Sequence, residues 1–233
     1  MCGRFTVTNP EAILLELVGE NEHPEIEARY NVTPGQKSTV VTVSEDGSRR
    51  LTEMRWGLVP SWIRNPTSGR RMINARVETV AEKPAFRDSG VHRRCVVVAD
   101  GFYEWQRSSG GKQPYLVRLN DGAPFGFAGL WDGWRSPEGH VLDTFTILTT
   151  AANALVEPIH KRMPVMLNRQ QREAWLMPWT GSEKIHQFCE PFPASVMEAI
   201  PVSDYVNNPA HDSVECLQSI PLPARQTLSL IHI

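Results

Sequence analysis

The sequence has no apolar run that approaches the roughly 18 residues needed to cross a bilayer. Its start, MCGRF, lacks the cationic and apolar regions of a signal peptide. It also lacks internal repeats, low-complexity segments and Pro/Gly/Ser-rich linkers. These absences predict a cytoplasmic protein with one globular domain over residues 1–220, since 233 residues fit one large domain at roughly 150 residues per domain. Residues 221–233 follow no predicted element, and we expect them to be a non-native or disordered tail.

Cysteine is scarce and scattered along the chain. The four cysteines form no C-x-x-C pair and no Cys/His cluster at metal-ligand spacing; they are Cys2, Cys95, Cys189 and Cys216. This spacing argues against a zinc site and against a disulfide framework, and we expect neither a metal nor a cofactor. Three of the four are typical of small buried hydrophobic residues. Cys2 differs because it follows the first methionine.

The net charge of −2 excludes a strongly basic or acidic chain, but the charges are unevenly distributed. Residues 49–94 hold eleven Lys and Arg against four Asp and Glu, whereas residues 1–48 hold three against eight. The excess over residues 49–94 is compatible with a local phosphate-binding face. An Arg-rich surface exposed to solvent explains it at least as well.

Periodicity and turn residues predict an α+β fold: a single domain with a mainly antiparallel β core flanked by short helices. Tight turns such as EDG at 45–47, SGG at 109–111, NDG at 120–122 and PEG at 137–139 separate short β-type runs. The predicted strands cover 38–43, 50–58, 94–99, 102–106, 115–119, 125–130 and 144–150. Helices are predicted at 10–18, after the start signal of Asn9 and Pro10, at 78–87, at 151–156, and at 168–176, where Asn168 can cap.

The first two residues carry unusual chemistry. Methionine aminopeptidase removes Met1 when the next residue is small, so we expect a mature chain with an α-amine and a thiol on adjacent carbons of Cys2. Reference pKa values near 7.7–8.0 for the amine and about 8.5 for the thiol leave part of each group nucleophilic at neutral pH. The amine can condense with an aldehyde and the thiol can then close a thiazolidine ring. Alternatively, the thiol can attack an amide carbonyl with the amine as base.

Six motifs occur in a fixed order along the chain: MCGRF at 1–5, RYNVTPG at 29–35, RWGLVPSW at 55–62, INARVET at 73–79, DGFYEW at 100–105 and IHKRMPV at 159–165. Together they closely resemble the SOS-response-associated peptidase (SRAP) family of abasic-site processing proteins, from residue 2 to about 205. The resemblance implies that the chain recognises abasic sites in single-stranded DNA. It further implies that Cys2 forms a thiazolidine crosslink with the deoxyribose aldehyde, which shields the lesion during the DNA damage response.

The resemblance also implies the catalytic residues, which are Cys2, Asn74, Glu104 and His160. Glu104 lies in a strand-like apolar run, where an acid is costly unless it is used or paired. It would hold the ammonium or iminium and move a proton during condensation, while Asn74 positions the amine or the sugar. A histidine titrates near neutrality, which suits His160 to protonating the sugar ring oxygen as the ring opens to its aldehyde.

Contacts with DNA are expected at five residues that match the family, which are Arg4, Pro34, Trp62, Arg76 and Arg162. Arginine offers planar bidentate donors to phosphate, and a proline or tryptophan can stack on bases or wedge between them. The family is sometimes aromatic immediately after the tryptophan, where this chain has Ile63. Most of the other tryptophans, including Trp131, Trp134, Trp175 and Trp179, are expected to pack in the core.

Two other functions compete with a covalent DNA-damage responder, which we expect to act as a monomer near the nucleoid. One is a cysteine-type peptidase or autopeptidase that uses Cys2, although no papain-type Cys-His-Asn arrangement is recognisable. The other is a noncatalytic single-strand binding module that relies on residues 49–94. Lyase activity at the abasic site is a further expectation.

Overall fold

The structure is a computed structural model that describes residues 2–19, 26–44, 46–66, 71–108, 111–178, 182–188 and 190–221. Nearly all of the predicted tail (222–233), together with Met1, Trp179 and Cys189, lies outside the described residues. No helix in the described part of the chain is long and apolar enough to span a membrane.

Two β-sheets form the body of the described chain. The strands are β1 (Arg4–Val7), β2 (Arg29–Val32), β3 (Lys37–Val43), β4 (Arg49–Trp56), β5 (Asn74–Arg76), β6 (Arg94–Ala99), β7 (Gly101–Ser108), β8 (Gly111–Leu119), β9 (Phe125–Arg135), β10 (Val141–Ala151), β11 (Arg162–Pro164), β12 (Met166–Leu167) and β13 (Met197–Pro201). The helices are α1 (Glu11–Val18), α2 (Pro84–His92) and α3 (Arg169–Leu176), and short 3-10 helices lie at Ser182–Phe188, Ala194–Val196, Asp204–Asn207 and Val214–Leu217.

The predicted fold class is confirmed. The first sheet has the antiparallel order β13-β8-β7-β1-β2. In the second sheet, β11-β10-β4-β3-β6-β9-β12, an additional pairing of β9 with β10 closes the strand order into a ring. Its pairings are antiparallel except that β10 runs parallel to β4 and β5. These parallel pairs place β5 beside the end of β10 that leads to β11.

A continuous apolar core fills the space between the elements. β6 is buried along its whole length, as its run of valines predicts. Phe5 of β1 packs edge-on against Trp56 and Phe127, so the short N-terminal strand is fixed by aromatic contacts as well as by its backbone pairs. Trp175 and Trp134 are buried as expected, and Trp131 is partly buried against the core.

The turns at 46–47, 121–122 and 137–139 lie where the sequence predicts them. Two of the predicted helices are correct: α1 fits 10–18, and α3 begins after Asn168, which forms a capping box with Gln171. The helix predicted at 78–87 begins only at Pro84, because turns occupy 77–82 and a proline is favoured at the first helical position.

The helix predicted at 151–156 is wrong. Ala151 ends β10, and the Asn153 side chain then accepts hydrogen bonds from the N–H groups of Leu155 and Val156. This Asx-type turn gives the backbone an alternative to a helix. The chain continues as turns through 159.

Candidate active site

Cys2 lies two residues before the start of β1 and is completely buried. The Asn74 side chain, at the start of β5, donates a hydrogen bond of 2.7 Å to the Cys2 carbonyl oxygen, while its own Oδ1 is buried and accepts no bond from the described residues. Burial raises the pKa of the Cys2 thiol well above its usual range, and the nearby Glu104 carboxylate raises it further. The sequence-based expectation of a partly ionised thiol concerns the chain without Met1 and stays a prediction.

Glu104 projects from β7 with only 3% of its surface exposed. Its Oε1 lies 3.9 Å from Nδ1 of His160, whose side chain is one-third exposed. The strand thus brings a buried carboxylate to both the thiol and the imidazole. On the same face of β7, Gln106 donates to the carbonyl of Pro158 at 3.1 Å, which ties the strand to the turn that carries His160.

The backbone offers His160 a partner in either protonation state. Nδ1 is 3.0 Å from the N–H of Arg162 and 3.0 Å from the Arg162 carbonyl oxygen. A neutral ring can accept at Nδ1 from the N–H, and a protonated ring can donate from Nδ1 to the carbonyl oxygen or towards Glu104. This arrangement suits a group that gains and loses a proton.

Arg162 does not present its guanidinium freely. Its terminal nitrogens form a bidentate pair with the Glu78 carboxylate, and Nη2 also donates to the Thr149 carbonyl oxygen at 2.5 Å. These bonds hold the pKa of Glu78 below its usual range. Glu78 and Thr149 were not singled out from the sequence, although Glu78 belongs to the quoted INARVET motif.

Arg4 also donates mainly to the protein. Its guanidinium bonds Asn31 Oδ1 at 3.1 Å and the carbonyl oxygens of Val206 and Asn207, and it lies 5.8 Å from the ring centre of Trp105. Burial lowers its pKa. Arg4 thus ties β1 to the 204–207 helix while it lines a cleft of about 460 Å³ together with Glu104 and His160.

Arg76 is exposed at the end of β5 and lines a groove of about 550 Å³ with Asn74, Arg71 and Lys83. Arg71 donates to the Pro34 carbonyl oxygen at 3.3 Å, which places Pro34 at the edge of this groove. Trp62 is 64% exposed, so its ring is open to solvent.

The basic stretch 49–94 is not one continuous face. Arg49 pairs with Glu173, and Arg93 pairs with Asp88 and Asp132. Arg94 is buried among backbone carbonyls, where desolvation lowers its pKa to about 10. Among the described residues of this stretch, Arg71, Arg76 and Lys83 line the groove next to Asn74.

Comparisons with known proteins agree with the motifs. The profile of the family described as SOS response associated peptidase (SRAP) matches residues 1–209. The chain is 41% identical over 225 residues to abasic site processing protein YoqW of Bacillus subtilis, covering 94% of this chain and all of that protein. It is 31% identical over 229 residues to abasic site processing protein YedK of Escherichia coli, again covering 94% and 100%. A crystal structure of a Bacteroides thetaiotaomicron protein matches with a TM-score of 0.83 and 26% identity over 94% of this chain and all of that one.

Proposed function

This chain belongs to the SOS response associated peptidase (SRAP) family, and we propose that it recognises abasic sites in single-stranded DNA and crosslinks to them through Cys2. The reactive form is the chain without Met1, whose first residue is an aminothiol. The crosslink covers the lesion during the DNA damage response. The domain spans residues 1–220 and acts as a cytoplasmic monomer that joins the nucleoid through damaged DNA.

The observation that carries the proposal is the convergence of four separate segments on one thiol. Asn74 holds the Cys2 carbonyl, the Glu104 charge acts on the Cys2 thiol, and His160 lies 3.9 Å from Glu104. Burial disfavours the charged form of the Cys2 thiol and the nearby Glu104 carboxylate disfavours it further, a combination that is frequent at functional sites.

The first step opens the sugar. An abasic deoxyribose exists mainly as a ring-closed hemiacetal, which exposes no carbonyl. Protonated His160 donates to the ring oxygen while the C1′ hydroxyl gives its proton to a solvent water, so that an aldehyde and a C4′ hydroxyl form. The paired backbone groups of Arg162 stabilise His160 before and after this transfer.

The next steps join the protein to C1′. The α-ammonium of Cys2 passes a proton to the Glu104 carboxylate, and the free amine adds to the aldehyde carbon. Glu104 returns this proton to the carbinolamine hydroxyl, which leaves as one water and gives an iminium. The thiol then adds to the same carbon, and its proton passes to the Glu104 carboxylate. Because the thiol is protonated at rest, Glu104 serves as its base. The product is a thiazolidine, and the net change is the loss of one water.

DNA contacts surround this centre. Arg76, with Arg71 and Lys83, offers a groove for backbone phosphates next to Asn74. Arg162 offers a bidentate donor once it leaves Glu78, and Arg4 supports the cleft wall on the other side. Exposed Trp62 and nearby Pro34 provide surfaces for base stacking.

The test is the intact mass of the protein after incubation with an abasic oligonucleotide. The wild-type chain should give the sum of the Met1-free protein and the oligonucleotide minus one water, and the adduct should survive heating. Cys2→Ser keeps the amine but should give only a reducible imine. Cys95→Ala removes another buried thiol and should crosslink at the wild-type rate. A Cys2→Ser adduct as durable as that of wild type would overturn the thiazolidine.

The same measurement separates the competing functions. Shortened polypeptides without an adduct would point to a peptidase, and DNA binding without either product would point to a noncatalytic module. Strand scission without a retained adduct would indicate a lyase.

A further inference from the structure

Two cationic side chains line the cleft beside Glu104 and His160. Neither belongs to the candidate catalytic or DNA-binding residues. Arg107 near the end of β7 and Lys112 near the start of β8 are directly opposite each other in the antiparallel register. Both line the cleft of about 460 Å³ that Arg4 and His160 also line. Both side chains are exposed.

This placement is unfavourable for the protein alone. Like charges that face each other across two strands destabilise a hairpin. The ion pairs among the described residues give neither Arg107 nor Lys112 a carboxylate within 4.0 Å. The carboxylate that shares the cleft, Glu104, is instead directed to His160. An anion bound between the two cations would remove the repulsion.

An anion in this cleft lies next to the candidate active site, so a ligand of that site is the natural source of the anion. The groove with Arg71, Arg76 and Lys83 adjoins the site at Asn74, whereas the cleft adjoins it at Glu104 and His160. A single strand that passes over Asn74 and His160 would therefore extend into the cleft, with its backbone close to the β7–β8 hairpin. A guanidinium and an ammonium side by side suit a phosphodiester, because the first donates in a planar fork and the second is a compact charge.

We propose that Arg107 and Lys112 form a phosphate clamp for the DNA strand that flanks the abasic nucleotide. The clamp rests on the proposed function, since it assigns a second part of the path to the same strand. It contributes to binding and not to the chemical steps, because both side chains are exposed to solvent whereas Cys2 and Glu104 are buried.

The test removes both charges with Arg107→Gln/Lys112→Gln and compares a control that removes an exposed Arg and Lys elsewhere, Arg135→Gln/Lys184→Gln. Affinity for an undamaged single-stranded oligonucleotide is measured against salt. The clamp variant should lose about 1.4 units of the slope of log K against log salt, from about 0.7 per lost phosphate contact. The control should keep the wild-type slope. An unchanged slope in the clamp variant, or an equal loss in the control, overturns the clamp.

Two further readouts distinguish a clamp from a structural pair. Without DNA, the clamp variant should unfold at a temperature equal to or above that of wild type, because it has lost a repulsion; a clear decrease would mean that the pair supports the hairpin. At saturating abasic DNA it should crosslink at the wild-type rate. If wild type itself gives no adduct, the proposed chemistry fails, while the salt slopes still decide whether the clamp exists.

Discussion

At the scale of single residues, the proposed phosphate contact of Arg162 would compete with the Glu78 carboxylate for the same guanidinium. The Glu78 carboxylate accepts two hydrogen bonds from Arg162, in the bidentate geometry that a phosphate would use. Because its pKa is lowered by that contact, Glu78 stays ionised throughout the neutral range and the competition does not relax there. We therefore expect the ion pair with Glu78 to lower the affinity of Arg162 for a DNA phosphate.

Glu78→Gln should consequently raise affinity for undamaged single strands by about two- to five-fold, the size of an exposed ion pair. Arg162→Ala should weaken binding and remove about 0.7 units of salt slope. Arg76→Ala, whose side chain is exposed at the groove, should lose a similar slope and provides the comparison. Weaker binding by Glu78→Gln would show instead that Glu78 positions Arg162 for DNA.

His160 and Glu104 should differ in the step that each supports. His160→Ala and Glu104→Ala should both slow crosslinking on the order of 100-fold while binding to undamaged strands is retained. An aldehyde substrate that needs no ring opening should rescue His160→Ala more than Glu104→Ala, because only the first variant lacks the opening step.

Time courses with both substrates measure this division of roles. By microscopic reversibility, His160→Ala should also make a preformed crosslink longer-lived. Wild-type rates in both variants would mean that the two residues are structural, and equal rescue of both would contradict the separate roles.

At the scale of elements, β1 is held by one buried carboxylate. Asp100, between β6 and β7, accepts bonds from the Thr6 hydroxyl, from the Thr8 N–H and hydroxyl and from the Asn9 N–H, at 2.5–2.7 Å. These bonds fix the strand that follows Cys2, so the position of the thiol depends on them.

Asp100→Ala should lower the free energy of unfolding by about 3 kcal/mol, because it leaves buried donors without an acceptor. Asp100→Asn should recover part of this loss, since its amide oxygen can still accept from Thr8 and Asn9. Asp121→Ala, which removes one bond to Ala123 in an exposed turn, should cost less than about 1 kcal/mol. Denaturant titrations measure all three, and equal losses at positions 100 and 121 would refute the anchoring role.

The sequence predicted long, strongly patterned elements well and short ones poorly. The buried valines of β6 and the Asn168 cap of α3 need no tertiary information. By contrast, β5 has three residues and is a strand only because β10 pairs with it. The incorrect prediction of a helix at 151–156 shows the same limit. The Asn153 side chain accepts hydrogen bonds from the backbone two and three residues on, and the periodicity of apolar residues carries no information about such bonds.

At the scale of the whole molecule, the candidate site exists because distant segments meet. The family motifs named Cys2, Asn74, Glu104 and His160, but neither spacing nor periodicity could place residues 2 and 160 together. Their meeting depends on the pairing of β1 with β7 and of β5 with β10. Partners such as Glu78 could not be predicted, because an acid in a motif does not reveal which arginine it faces.

Burial also gives the whole fold a sensitivity to alkaline pH. Desolvation raises the pKa of the Cys95 thiol well above its usual range, with no other cause. Above about pH 8.5 the unfolded chain releases the Cys95 proton whereas the folded chain keeps it, so the unfolded state becomes more favourable as pH rises. Each such thiol lowers the free energy of unfolding by ~1.4 kcal/mol per pH unit in that range. The Cys2 thiol has a raised pKa for the same reason and should add to the slope.

The Cys95→Ala variant separates the pH dependence of stability, which comes from the thiol, from the stability that is lost with its packing contacts. The substitution leaves a small cavity beside Val97 and Gly129, which should lower stability equally at every pH. It also removes one titrating group, which should make the decline above pH 8.5 shallower by ~1.4 kcal/mol per pH unit. Urea titrations of reduced protein at several pH values between 7 and 10 yield both quantities, the offset and the slope. A constant offset with an unchanged slope would mean that Cys95 ionises as readily in the folded chain as in the unfolded one, and would overturn this linkage.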